Sequence, residues 1–348
     1  MNKNIVKVLD FPIGIMYNCS RYQSERQALY MLKKLYQTMS VLLILCAVVC
    51  CVPGCAESEP QQPITAQILV GQVNRLQFLI RSEKGVYREE EADKRRPFDI
   101  TVEVVWPDAF EEVVIEHTDP MVTLRYLTPE GSITAAHPTD DTILITTLTP
   151  EDNTVSYHLD GSSLTTMGSA PFGAYKLLAD VSLTANGEEI EFSLELPFSY
   201  LAKNAQPGQE EVSAKCTVGD YTFALTSPQR VVEYTAADPQ APFDLTASLV
   251  YTGGNESVEI VHGNPLMGAY AIPPEGYPAN YGIGFEQIAK RMTLTRNEAV
   301  TKTDTGSGVY TMLGELPTGD YAAVGAVSFR EDDAVNADIR LSLPIRVK

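Results

Sequence analysis

The sequence predicts an all-β protein in which two tandem antiparallel β-sandwich domains follow an N-terminal leader. Three observations predict this fold class. The chain repeats itself at a nearly constant spacing, and short runs rich in Val, Ile and Thr alternate apolar and polar residues between turn signals. No window after the leader carries a long apolar stripe of helical period. Many short strands separated by turns favour an antiparallel sandwich.

The internal repeat is the most informative pattern in the chain. The segment "PFDITVEVVW" at 97–106 matches "PFDLTASLVY" at 242–251, and "VIEHTDP" at 114–120 matches "EIVHGNP" at 259–265. Both matches have an offset of 145, which drifts only to 147 at "LELPF" and "LSLPI" near the ends of the two copies. Two copies of one domain are therefore predicted.

The predicted domains are residues 61–203 and 211–348, called repeat one and repeat two below. The intervening residues 204–210 belong to a polar stretch with Pro and Gly, which is typical of a linker. Each copy is expected to close with a hairpin, across "TANGEE" in repeat one and "REDDAVN" in repeat two. The only helix predicted is short, "GFEQIAKRM" at 284–292.

A Gly-x-Tyr motif precedes the last hairpin of each copy, at Gly173 and Tyr175 and at Gly319 and Tyr321. Together with the order of strands and turns before it, this motif resembles bacterial immunoglobulin-like modules, including those of the BsuPI proteinase-inhibitor type. The resemblance implies an immunoglobulin-like β-sandwich for each repeat. It identifies no inhibitory residue.

Four of the six cysteines, Cys46, Cys50, Cys51 and Cys55, fall within ten positions near the N-terminus. A structural zinc site uses paired thiolates presented by turns, whereas these thiols lie in or beside an apolar run. Basic residues precede that run and small residues follow it, which is the layout of a secretory signal. The run is shorter than the about 20 apolar residues that a membrane span requires.

The stretch "VPGC" resembles the lipobox of bacterial lipoprotein signal peptides through Val52, Gly54 and Cys55, although Pro53 is a less usual occupant. The resemblance implies cleavage after Gly54 and a lipid on Cys55. Residues 1–54 are then the leader and residues 55–60 the lipidated cysteine and a linker. Met31 opens a complete signal by itself, so the signal is expected at 31–54. An uncleaved anchor and a thiol cluster are the alternatives.

The acidic charge of the chain suits a domain that lipid holds near a membrane. The net charge is −19, and removal of the leader makes it −23, because six basic and two acidic residues are lost. Such a surface repels nucleic acid, so no nucleic-acid partner is expected. Lipid on Cys55 would place the protein on the extracytoplasmic side of the cell membrane. Cys216 then has no intrachain partner, and its alignment with Ile68 predicts a buried, inert thiol.

No catalytic, phosphate-binding or calcium-binding motif occurs in the chain, so we predict no enzyme, no cofactor and no metal site. His117 and His262 are equivalent in the repeat, and each precedes a short turn. We expect each imidazole to bond to that turn, with metal binding as the alternative. Trp106 aligns with Tyr251, which favours a packing role over sugar stacking.

Repeat two contains one segment, "YAIPPEGYPANYGIGF", that is far more aromatic than its counterpart in repeat one. It places Tyr270, Tyr277, Tyr281 and Phe285 in a predicted loop. Aromatic loops on a rigid sandwich make recognition surfaces, so these residues are the candidate ligand contacts. The alternative is that they pack over the end of the sandwich.

Taken together, the sequence predicts a lipid-anchored cell-envelope protein that acts as a non-enzymatic binding or interaction module. Its partners would be the membrane, through the lipid on Cys55, and an envelope protein or glycan. The alternatives are a carbohydrate-binding accessory protein, a protease inhibitor that uses an edge loop, and a structural spacer.

Overall fold

The computed structural model describes eleven segments of the compact unit Glu59–Lys348. They are residues 63–72, 75–89, 100–135, 140–159, 171–202, 204–233, 244–274, 276–277, 286–304, 316–331 and 335–348. The leader and Cys55 lie outside these segments. The limits predicted for the two domains and their linker stay a prediction.

The described segments confirm the all-β prediction, since they contain strands and no helix. The strands of repeat one are β1 (Ile64–Val70), β2 (Leu76–Ser82), β3 (Val86–Arg88), β4 (Ile100–Val105), β5 (Val113–Asp119), β6 (Thr123–Leu127), β7 (Ile133–Ala135), β8 (Asp140–Leu148), β9 (Thr154–Leu159), β10 (Gly173–Ala185) and β11 (Glu188–Leu201). Those of repeat two are β12 (Val212–Val218), β13 (Tyr221–Ser227), β14 (Val231–Val232), β15 (Leu245–Tyr251), β16 (Ser257–Ile272), β17 (Glu286–Thr295), β18 (Ala299–Asp304), β19 (Gly319–Glu331) and β20 (Val335–Val347).

These strands form two sheets that pack face to face. Sheet A has the order β17-β16-β19-β20-β1-β2-β4-β9, with β14 beside β20. Sheet B has the order β18-β15-β13-β12-β11-β10-β5-β8, with β3 beside β11, β6 beside β10 and β7 beside β6. Among the described strands only β3–β11 and β14–β20 are parallel, so the sandwich is antiparallel as predicted.

Both sheets run through both repeats. In sheet A, Ala66–Val70 of β1 pair with Ala337–Leu341 of β20, and in sheet B, Phe192–Glu195 of β11 pair with Lys215–Val218 of β12. The first strand of each repeat is thus covered by the last strand of the other. An uncovered first strand would expose a row of unpaired backbone groups. The two sandwiches therefore share a single hydrophobic core that contains residues of both repeats.

Sequence alternation explains the individual strands. In β1, β12, β13 and β15 every second side chain is buried and its neighbours are partly exposed, as period-two patterning requires. Cys216 occupies one buried position of β12, between Leu194 and Phe223, as predicted. Burial raises the pKa of its thiol, which favours the unreactive protonated form. Its inertness toward reagents stays a prediction.

The predicted hairpins are confirmed, but the predicted helix is wrong. β10 and β11 pair across Asn186 and Gly187, whose positive φ angles of 49° and 84° suit a two-residue hairpin turn. β19 and β20 pair in the same way up to Glu331 and Val335. Residues 286–292 of the segment predicted as a helix instead belong to β17, and their backbone pairs with β16 between Ile260 and Asn264. That edge pairing outweighs a weak local helical pattern.

The Gly-x-Tyr motif forms the same local structure in both repeats. The hydroxyl of Tyr175 donates to the carbonyl oxygen of Pro171 at 2.6 Å, and that of Tyr321 donates to the carbonyl oxygen of Pro317 at 2.8 Å. Two residues before the first of these, Gly173 has a φ of 151°, and a Cβ there would meet Pro129 at 2.7 Å. Glycine is required because a proline ring of the preceding turn packs against the bare backbone.

We expect Tyr175→Phe to lower the free energy of unfolding by about 1 kcal/mol, the usual cost of a lost hydrogen bond. Burial, first, and then Glu130 and Tyr200 raise the pKa of Tyr175 from 10.0 to about 12. The neutral hydroxyl therefore stabilises the fold fully below pH 10, and this contribution is lost as pH rises from 10 to about 12.

Urea unfolding of the wild type and of Tyr175→Phe at several pH values measures both effects. The difference between the two proteins should shrink as pH rises through that window. Tyr277→Phe, at an exposed tyrosine, is the control and should change neither the free energy of unfolding nor its dependence on pH. A constant difference between pH 8 and 12 would contradict the assignment to the Tyr175 hydroxyl.

Candidate functional site

His117 and His262 occupy equivalent buried positions and differ in one contact. Nδ1 of His117 bonds to the carbonyl oxygen of Thr118 at 2.6 Å, and Nδ1 of His262 bonds to that of Gly263. Each imidazole thus contacts the following turn, as predicted. Nε2 of His117 also bonds to Oγ1 of Thr146 at 2.7 Å, whereas Nε2 of His262 has no hydrogen-bond partner among the described residues.

The strand register explains why the two histidines differ. Thr146 faces Ile115 across the β5–β8 pair, and the equivalent residue of repeat two, facing Ile260 across β16–β17, is Met292. A thioether is at most a weak hydrogen-bond acceptor, so it does not replace the threonine hydroxyl. Repeat two therefore leaves one imidazole nitrogen available.

A cavity of about 260 Å³ lies beside His262 in repeat two. Its wall is formed by β16 at His262, where the strand register is irregular, by the start of β17 and by the end of the β19–β20 hairpin. Arg75 of repeat one completes it. Its lining includes the side chains of Arg75, His262, Glu286, Ile288, Arg330 and Asn336.

Hydrogen-bond donors dominate the polar part of this wall. Arg75 is held in place by an ion pair with Asp338, and its Nη1 donates to Oδ1 of Asn336 at 3.2 Å. Arg330 is exposed at the end of β19. Among the described residues of the wall, Glu286 is the one acidic side chain, and it accepts a hydrogen bond from Nδ2 of Asn264 at 3.0 Å. Two guanidinium groups at one cavity suit an anionic or carbonyl-rich ligand.

Repeat one lacks these donors at the equivalent positions. Thr184 pairs with Glu189 across β10 and β11, where repeat two pairs Arg330 with Asn336. The cavity wall thus lies where the two copies diverge, in a fold that they otherwise share.

The structure describes two of the four predicted aromatic contact residues, Tyr270 and Tyr277. Tyr270 lies in β16 and pairs with Val324, so its assignment to a loop is wrong. It is half-buried, which raises the pKa of its hydroxyl, while Arg340 acts in the opposite direction. Tyr277 is exposed, and its backbone N–H donates to the carbonyl oxygen of Pro274 at 3.3 Å. Tyr281 and Phe285 lie outside the described residues.

Trp106 has the packing role that its alignment predicts. It is buried, its Nε1 donates to the carbonyl oxygen of Glu111 at 2.9 Å, and its counterpart Tyr251 packs against Tyr221 with ring centroids 5.3 Å apart. A buried indole presents no face on which a sugar could stack.

Within the described segments, no group of three or more His, Cys, Asp or Glu side chains is arranged to hold a metal ion. The same segments contain no helix that is long and apolar enough to span a membrane. Cys55 lies outside them, so its lipidation stays a prediction, as does the expectation that the histidines bind no metal.

Comparison with known proteins leaves the family open. No protein-family model matches the chain, and no curated protein matches it. Among solved structures, a red sea bream transglutaminase aligns with 80% of this chain at 13% identity and a TM-score of 0.19, and the chain spans about a third of that enzyme's length. A structure of a bacterial ice-binding adhesin, described as giving insight into host cell surface retention, aligns with 83% of this chain and 99% of that one at 13% identity and a TM-score of 0.14. At these scores neither likeness carries an argument about function.

Sequence reasoning missed Arg75 and Arg330 as site residues. Comparing the two copies position by position would have flagged Arg330 and Met292, because each differs in character from its equivalent. It would not have flagged Arg75, which reaches the cavity only because β1 pairs with β20.

Proposed function

We propose that this protein is a lipid-anchored cell-envelope protein that faces the extracytoplasmic side and acts as a non-enzymatic binding module. The lipobox-like "VPGC" supports the anchor, and the strongly acidic composition supports a domain that does not lie on anionic lipid. The cavity beside His262 supports a binding role.

The observation that carries the proposal is the divergence of the two repeats at this cavity. Where the same fold occurs twice, features needed for folding should occur in both copies. The pairs His117 and His262 and Tyr175 and Tyr321 behave in this way, whereas Arg330, Asn336 and Met292 replace Thr184, Glu189 and Thr146. Arg330 and Asn336 line the cavity, and Met292 leaves a nitrogen of His262 without the partner that Thr146 gives to His117, so these differences are candidates for a function beyond folding.

The donors indicate the chemistry of the ligand. Arg75 is already paired with Asp338, so Arg330 and the free nitrogen of His262 are the groups that favour a ligand with negatively charged oxygen atoms, and Ile288 adds an apolar surface. A volume of about 260 Å³ accommodates a small residue-sized group and not a large cofactor. We therefore propose a small carboxylate-bearing group as the ligand.

The binding proposal is tested by thermal-shift titration of the purified protein with a panel of carboxylates, including succinate and glucuronate. A ligand that raises the melting temperature of the wild type should lose its effect in Arg330→Glu. The control is Arg291→Glu, which changes an arginine of β17 that pairs with Glu259 and does not line the cavity. A glycan array tests the carbohydrate-binding alternative, and a protease panel tests the inhibitor alternative. If glycan binding or protease inhibition occurs and is unaffected by Arg330→Glu, the contact lies outside the cavity. No binding in any assay would favour a structural spacer.

We expect Cys55→Ser to release the protein from membranes or to stall its processing. Without the thiol no thioether can form, so the protein loses the two acyl chains that would hold it stably at a bilayer. Membrane fractionation and the mass of the mature N-terminus measure the effect, with Cys51→Ser as the control. Unchanged fractionation and cleavage in Cys55→Ser would contradict lipidation at this residue.

A further inference from the structure

Strand β8 is an open edge of sheet B that carries apolar side chains on both faces. Among the described residues it pairs only with β5, which leaves its other side unpaired. Ile143, Leu144 and Ile145 are 61%, 40% and 69% exposed. From Thr142 to Leu148 the strand contains no charged residue. Exposed apolar edges of this kind are sites where a further strand pairs.

The equivalent edge in repeat two is charged. Leu144 faces His117 across β5–β8, and the residue that faces His262 across β16–β17 is Lys290, followed by Arg291. Lysine on an edge strand is a common means of preventing edge-to-edge pairing. One fold thus presents a protected edge in repeat two and an unprotected one in repeat one.

The sequence of β8 is symmetric about Leu144. The central residues read T-I-L-I-T, from Thr142 to Thr146. An antiparallel pair centred on this residue places Leu144 opposite Leu144, each Ile143 opposite Ile145, and each Thr142 opposite Thr146. The acidic start of the strand, Asp140 and Asp141, then falls opposite Leu148 and Thr147 of the other strand. No like charges meet, and each face of the paired strands matches residues of the same kind.

We propose that the β8 edge pairs antiparallel with the β8 edge of a second copy of this chain, about a twofold axis through Leu144. Self-pairing of this type is an isologous contact, in which the same surface serves both partners. Sheet B continues across the axis into the second molecule, and the four isoleucines form an apolar cluster on its outer face. An interface of one strand pair is small, so its dissociation constant is on the order of micromolar.

Sedimentation velocity of the full-length chain in detergent, from about 1 to about 200 µM, tests the proposal, since this range brackets weak contacts of such a size. The wild type is expected to shift from monomer to dimer with rising concentration, and more readily at high salt, which screens the repulsion of the acidic surfaces. Leu144→Lys copies into repeat one the residue that repeat two carries at Lys290, and should leave the protein monomeric throughout. Ile288→Lys, at an exposed apolar residue of β17, is the matched control and should dimerise like the wild type.

Cysteine cross-linking gives a second measurement, because a disulfide traps the dimer even where the dimer is a minor species. Opposed residues of an antiparallel pair have Cα atoms about 4.5–5.5 Å apart, which is within the reach of a disulfide. Leu144→Cys should form a disulfide-linked dimer with a mild oxidant, joined through residue 144 as mapped by peptide mass spectrometry. Lys290→Cys, introduced alone, is the control and reports the cross-linking that random collision produces. A wild type that stays monomeric, a dimer insensitive to Leu144→Lys, or equal cross-linking of the two cysteine variants would each overturn the proposal.

Discussion

Repeat one expressed alone, as residues 59–203, is expected to lose stable folding, and so is repeat two as residues 204–348. In the intact chain β1 is covered by β20 and β12 by β11, so separation opens one edge in each sheet of each half. It also exposes part of the core that the two repeats share. The cost should be roughly 5 kcal/mol or more, which is comparable to the whole stability of a small domain.

Circular dichroism, thermal melting and size-exclusion chromatography measure this effect. Each half alone should aggregate or melt without a cooperative transition, and mixing the halves from denaturant should restore a complex that melts like the intact chain. The control is a chain with a protease site inserted at residues 204–210. Cleaving that chain while it is folded should leave the halves together. Two separated halves that each melt at the temperature of the intact chain would show that the shared sheets contribute little.

Phe198→Ala is expected to lower the free energy of unfolding by about 3–5 kcal/mol, the range for truncating a large buried ring. Phe198 stacks on Tyr175 with centroids 5.2 Å apart and makes edge-to-face contacts with Tyr87 at 6.1 Å and Tyr126 at 5.9 Å. All four rings are buried. The substitution would remove the central ring of this aromatic cluster and leave a cavity. The three tyrosines would then lose their common contact, and they belong to three strands, β3, β6 and β10.

Urea unfolding measures the free energy of unfolding of Phe198→Ala, and Ile345→Val and Phe110→Ala are the matched controls. Ile345 is opposite Tyr321 as Phe198 is opposite Tyr175, so Ile345→Val changes the equivalent site by one methylene and should cost about 0.5–1.5 kcal/mol. Phe110→Ala removes a ring that is 93% exposed and should cost almost nothing. A loss below about 1.5 kcal/mol for Phe198→Ala would mean that the neighbouring rings close the cavity.

The sequence by itself determined the strand-rich character of the chain and its internal symmetry. Alternation at every second residue records which face of a strand is buried, so β1, β12 and β15 follow from local pattern. The same holds for the Asn186–Gly187 turn and for the Gly-x-Tyr motif, whose requirements are local and steric. The burial of Cys216 and Trp106 followed from the repeat, because their counterparts are Ile68 and Tyr251.

Only the tertiary structure decided how these elements meet. The pairing of β1 with β20 joins backbone groups that every residue carries, so no pattern of side chains records which edge covers which. The same reason explains why residues 286–292 form a strand on β16 and why Tyr270 belongs to a strand. Arg75 reaches the cavity beside His262 through that edge pairing alone, across more than half the length of the chain. Local chemistry is written along the sequence, whereas a site formed by backbone pairing between distant strands exists only once the sheets have assembled.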